Sequence, residues 1–168
     1  MRMLSKVFWM AMVLILFPLE GQSKEALLED LFGQVFELYG QARYSEATGI
    51  AKEAVKVAEE TFGQNHPNVA ISLNNLAYLY DCQGQYAQSG SLYERALAIL
   101  EKALGPDHFR VGHVLSNMAE RCRKMGKKDE AERLEARAAK IRANRENPSP
   151  LEILHRGQSN AKIEYGIL

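Results

Sequence analysis

The sequence has 168 residues, 46% of them hydrophobic and 25% charged, a composition that excludes collagen-like, mucin-like and wholly disordered chains and fits a single domain. Lysine plus arginine and aspartate plus glutamate each total 21, so the formal charge is zero and no net field draws in nucleic acid or an anionic membrane. Two cysteines, Cys82 and Cys122, are too few for a disulfide scaffold or a thiolate zinc site.

At the N-terminus Arg2 and Lys6 precede an unbroken apolar run from Val7 to Phe17, which Pro18 ends. Those 11 residues fall short of the roughly 20 that a membrane-spanning helix needs. They suit the apolar region of a secretory signal, and Gly21 and Ser23 supply small residues at signal-peptidase spacing. Residues 1–23 are therefore expected to be a signal peptide cleaved before Lys24, making the protein secreted or periplasmic. Two alternatives stand beside this. The segment is retained as a membrane-associated anchor, the one case in which membrane contact is expected, or it is a buried first helix of a cytoplasmic protein.

The rest of the chain matches itself at a shift of 42. Tyr44 falls on Tyr86, Ala54 on Ala96, Val57 on Ile99, Gly63 on Gly105, His66 on His108 and Val69 on Val111. A weaker third copy places Asn117 on Asn75, Ala119 on Ala77, Leu134 on Leu92 and Ile141 on Ile99. The copies run over about 25–66, 67–108 and 109–145. The first departs at its turn, where Ala42 replaces Gly84 and Gly126, and at Gln34, which replaces Leu76 and Met118. It is expected to be less regular there.

In the middle copy Leu73, Leu76, Ala77 and Tyr80 recur at helical spacing, predicting a helix from near His66 or Pro67 to near Cys82. After Gly84 a second stripe, Ser89, Leu92, Tyr93, Ala96 and Ile99, predicts a helix from about Ala87 to Leu104, stopped by Gly105 and Pro106. Pro67 suits the first helical position after His66, whereas Asp107 is the expected cap of the helix carrying Phe109. Each unit is a helical hairpin. A lone hairpin leaves its apolar stripes wet, and stacking buries them in one core, with Ala77, Ser89 and Ala96 allowing close approach.

In the third copy Lys128 and Glu135 replace Tyr86 and Tyr93, so a further stacked hairpin would bury charge, and this copy is expected to end the stack. Asp129 is expected to meet Arg133 one turn on. Residues 146–168 lack sustained periodicity and read as a mostly flexible tail. Its cluster Leu151, Ile153 and Leu154 could dock on the last helix or on another protein.

The sequence resembles tetratricopeptide repeat proteins of the long-period kind found in kinesin light chain. The stretch LNNLAYLYDCQGQYAQSGSLYERALAILEKALGPDH carries the resemblance, with LYGQARYSEATGIAKEAVKVAEETFGQNHPNVA before it and LSNMAERCRKMGKKDEAERLEARAAKI after it. The resemblance implies an all-α fold, a right-handed α-solenoid of three stacked helical hairpins whose first helices line a concave groove for a protein or peptide. It does not extend to heptads or transport machinery. The implied groove takes Phe32, Gly33, Phe36, Tyr39 and Gly40 from the first hairpin. The second gives Asn74, Asn75, Tyr78, Asp81 and Cys82, and the third Ser116, Asn117, Glu120, Arg123 and Lys124. The candidate partner contacts are Phe36, Asn75, Tyr78, Asn117, Arg123 and Lys124. Asn75 and Asn117 are read as exposed amides able to clamp a peptide backbone, with aromatic packing as the alternative reading of Phe36 and Tyr78.

Phosphate-loop, zinc-protease, paired-cysteine and nucleophile-elbow patterns are missing from the sequence. His66 and His108 occupy one interhelix position a repeat apart, too far separated to share a metal, and read as turn and cap residues. No catalytic residue, cofactor or metal is expected. A Cys82–Cys122 disulfide is open to geometry but not favoured by their 40-residue offset. The expected function is a non-catalytic protein-interaction module. The alternative is an assembly element that self-associates or extends a larger helical array.

Overall fold

The computed structural model describes residues 24–146, so the signal peptide expected over 1–23 and all but Glu146 of the tail expected over 146–168 lie outside the described residues, Glu146 itself closing the last helix. Six helices follow one another: α1 (24–40), α2 (Tyr44–Phe62), α3 (Pro67–Cys82), α4 (Tyr86–Leu104), α5 (Phe109–Lys124) and α6 (Lys128–Glu146). They pair as three hairpins, α1 with α2, α3 with α4 and α5 with α6, and there is no strand among the described residues.

The turns repeat with the sequence. Within each hairpin a backbone N–H reaches back five residues to a carbonyl: Arg43 to Leu38, Gln85 to Tyr80 and Lys127 to Cys122, each at 2.9 Å. This closure forces the preceding residue into the left-handed region, where Gly84 and Gly126 sit at φ 73° and 75°. Ala42 takes the same conformation at φ 57°. The irregularity expected in the first copy therefore lies at this turn, since α1 itself runs unbroken past Gln34, which is exposed and hydrogen-bonds Asp30 at 2.7 Å.

Between hairpins, His66 and His108 are the N-caps of α3 and α5, each accepting at Nδ1 from the backbone N–H two residues on, at 3.2 Å. The expected cap Asp107 is thus displaced by one residue. The imidazole can serve as the acceptor because the neutral ring leaves one nitrogen unprotonated. The stacked Phe62 ring, 4.6 Å from His66, and Phe109, 4.6 Å from His108, help hold each ring in place.

One apolar cluster runs through all six helices, from Leu28 and Leu31 through Ala54, Leu73, Tyr93 and Leu115 to Ala138 and Ile141. A second, around Val35, Ala47, Ala51, Leu76 and Leu79, joins the first hairpin to the second. Ala77, Ser89 and Ala96 are fully buried, as expected of residues that admit a neighbouring backbone. Gly112 does the same between α5 and α6, where an added Cβ would lie 3.2 Å from Ile141 Cγ2.

The second helices are tied by a bond that also repeats every 42 residues. Arg95 donates to Glu59 at 2.6 Å and to the Gln64 carbonyl, and Arg137 donates to Glu101 at 2.6 Å and to the Pro106 carbonyl. Each arginine links its hairpin to the one before. The expected Asp129–Arg133 contact differs in detail: the guanidinium reaches the Asp129 backbone carbonyl at 3.3 Å.

Candidate interaction surface on the first helices

The first helices α1, α3 and α5 carry the expected partner residues, and side-chain contacts cross between these helices from hairpin to hairpin. The Tyr39 and Tyr78 hydroxyls are 3.1 Å apart, linking α1 to α3. Tyr44 and Tyr78 flank the Tyr39 ring at centroid distances of 5.7 and 5.6 Å. Hydrogen bonding to Tyr39, then burial, raises the Tyr78 phenol above its ordinary range, so it stays protonated. Asn117 Nδ2 donates to Asn74 Oδ1 at 3.0 Å, linking α3 to α5.

Phe36 is 66% exposed, the most open large apolar side chain in the described residues. Tyr78 and Asn117 are half-buried, while Arg123 and Lys124 are exposed. Asn75 differs from the expected exposed amide: it is only 3% exposed, with its Oδ1 buried and without a hydrogen-bond partner. Its equivalents in the outer hairpins, Gly33 and Asn117, are open or half-open. The central helix α3 is flanked on both sides, and that burial removes Asn75 from the contact surface.

At the other end, Arg123 is held by Glu120 at 2.9 Å and Glu135 at 3.3 Å, and Glu135 also pairs with Arg142 at 2.6 Å. Lys124 makes no such ion pair among the described residues. Its charge nevertheless acts on the end of α3. Burial raises the Asp81 carboxyl, and the Ser89 and Tyr93 hydroxyls together with Arg121 and Lys124 pull it partly back. Burial likewise raises the Cys82 thiol, against the pull of Lys124. Tyr93, fully buried, donates to Asp81 Oδ2 at 3.0 Å.

Cys82 and Cys122 are both free thiols. Among the described residues no group of three or more His, Cys, Asp or Glu is arranged to hold a metal, and no described helix is long and apolar enough to cross a membrane. What the sequence reading missed is an open cleft of about 400 Å³ between α5 and α6, bordered by Phe109, His113, Ser116, Ile141, Arg142 and Arg145. Its signal was available in the repeat, because these positions are equivalent to those that the second hairpin presents to the third.

Paired helices stacked at a 42-residue period, with a continuous core and one shared face, define a helical-repeat interaction scaffold. A tetratricopeptide repeat family model matches residues 36–102 and 82–144, and the chain belongs to that family. Tetratricopeptide repeats are generally protein-protein interaction modules. No curated protein matches the sequence. Among solved structures, the nearly identical TPR-like repeats of a Podosopora anserina kinesin light chain candidate superpose with a TM-score of 0.65 at 21% identity, over 78% of this chain. The match spans 63% of that protein's chain, and a single-substitution variant of the same protein gives a TM-score of 0.64 over 62%. BtubC (BKLC) from P. vanneervenii matches with a TM-score of 0.52 at 16% identity, covering 86% of this chain and 71% of its own. At these identities the likeness establishes the fold, a right-handed solenoid of three helical hairpins.

Proposed function

We propose that the protein binds an extended peptide segment of a partner protein along the face of α1, α3 and α5, without catalysis. The observation that carries this reading is the Asn117–Asn74 amide pair at the middle of that face, lying between exposed Phe36 and the Tyr39–Tyr78 pair on one side and Lys124 on the other. A side-chain amide offers two N–H donors and a carbonyl acceptor. The bond to Asn74 engages one donor, and the remaining capacity matches the alternating N–H and C=O groups of an extended chain. Phe36 gives an apolar anchor, and Lys124 favours an acidic residue at the far end of the ligand.

In this proposal the affinity is modest, because three hairpins offer limited area and preorganisation sets the strength. Export through the 1–23 segment would make the partner an extracytoplasmic protein. The test is selection of binders from a random peptide library, followed by anisotropy with one selected peptide. Phe36→Ala and Asn117→Ala should each weaken binding about tenfold, a loss of about 1.4 kcal/mol, and Lys124→Glu should do so most at low salt. Unchanged affinity in all three variants would reject the face as the binding site. Self-association is the competing reading, favoured by Leu27 and Phe36, both exposed on α1. A mass that rises with concentration in sedimentation equilibrium would support it.

A further inference from the structure

The zero formal charge of the chain is an average over two opposed ends. The first hairpin, 24–62, carries four basic and eight acidic residues, the second, 67–104, two and three, and the third, 109–146, eleven and six. Net side-chain charge along the stack therefore runs −4, −1, +5. Residues outside the described ones do not cancel this gradient: 1–23 holds Arg2 and Lys6 against Glu20, and 147–168 holds Arg156 and Lys162 against Glu152 and Glu164. Resting on the peptide-binding reading of the first-helix face, we propose that the bound segment is itself bipolar, with basic residues over α1 and acidic residues over the C-terminal end of α5.

The face repeats the gradient of the whole stack. On α1, Glu29 lies seven residues before Phe36, two helical turns along the same line, and both are exposed. Glu29 enters none of the ion pairs among the described residues, whereas the nearby cations Arg43 and Lys56 are taken by Glu46 at 2.6 Å and Glu60 at 3.9 Å. On α5 the exposed Lys124 is likewise outside every such pair. Between these ends the Tyr39–Tyr78 and Asn74–Asn117 contacts are uncharged, and Asp81, the one carboxylate of α3, is buried and bonded by Tyr93.

The internal repeat separates stacking residues from these two charges. A residue that stacking requires recurs every 42 positions, as buried Ala54, Ala96 and Ala138 do. Glu29 is followed one and two repeats on by Ile71 and His113, and Lys124 is preceded by Cys82 and Gly40. Each charge occurs in one hairpin alone, so neither serves the architecture common to all three.

Spacing follows from the stack. The helices α1 and α5 lie two interhelix steps of about 10 Å apart, and an extended segment advances about 3.3 Å per residue, so roughly six residues separate the ligand's opposite charges. A uniformly acidic or uniformly basic segment gains at one end what it loses at the other, which makes the polarity a specificity device.

Selection from a random peptide library against the full chain tests this. Selected peptides should segregate Lys and Arg toward one end and Asp and Glu toward the other. For one such peptide, Glu29→Lys should weaken binding about fivefold at low salt and less at high salt, and replacing the peptide's basic residues by Glu should restore binding to that variant. Peptides that need Phe36 and Asn117 yet bind Glu29→Lys equally well would overturn the bipolar assignment and leave the binding face standing. Binding indifferent to Phe36 and Asn117 would remove both. A mass that rises with concentration at low salt, and no longer does so in Glu29→Lys, would also overturn the assignment, because the polarity would then serve pairing between copies.

Discussion

Ala42, Gly84 and Gly126 hold one backbone conformation, and the alanine pays a penalty the glycines avoid. A left-handed non-glycine residue costs about 1–2 kcal/mol, partly offset by the extra freedom glycine has when unfolded. Ala42→Gly should therefore stabilise the domain by about 0.5–1 kcal/mol, read as a higher melting temperature, with Gly84→Ala moving it the other way. The histidine caps make a second prediction. Burial lowers the pKa of His66 below 6.5, against the pull of Glu25, so the unfolded chain takes up the proton first as pH falls. The stability contributed by neutral His66 is full above about pH 6.5 and is lost as pH drops through the lower folded value. A protonated ring also cannot accept from the Asn68 N–H. Melting temperature should fall between pH 7 and pH 5, and His66→Asn, which caps without titrating, should flatten that slope. His113 is lowered too and leaves a residual slope in the variant.

At the scale of helices, the close crossing of α5 and α6 depends on Gly112. A Cβ there lies 3.2 Å from Ile141 Cγ2 and 3.8 Å from the Ala138 carbonyl, so Gly112→Leu should destabilise by about 1–3 kcal/mol through overpacking. Gly49, exposed in α2 with nothing within 4 Å of an added Cβ, is the contrast. Gly49→Ala should stabilise by up to about 1 kcal/mol from helix propensity alone. Chemical denaturation of both variants checks the pair. Element positions were legible in the sequence because each helix carries its own stripe and stop: α3 spans Pro67–Cys82, and α4 begins at Tyr86, one residue before expectation. The α5 cap was not, since choosing His108 over Asp107 depends on where Phe109 and the ring lie in space. Asn75 was misread for a related reason. Its environment is set by the hairpins on either side of α3, and a helical period does not say whether a position faces a neighbour or water.

For the whole molecule, the 42-residue period fixes the stacking order, so the three helices α1, α3 and α5 that share a face could be named from sequence while their cross-links could not. Tyr39–Tyr78, Asn74–Asn117 and the Arg95 and Arg137 clasps each join residues 36 to 43 positions apart. Such contacts need the lateral spacing of the helices, which periodicity leaves open. These links also brace the face into one surface, the condition for preorganised binding of an extended ligand. The most direct measurement is a ¹⁵N-resolved NMR titration of the full chain with a library-selected peptide. Saturable shifts confined to α1, α3 and α5, including the side-chain amide of Asn117, are the predicted result. Shifts centred on the outer faces of α2, α4 and α6, with the Asn117 amide unmoved, would contradict it.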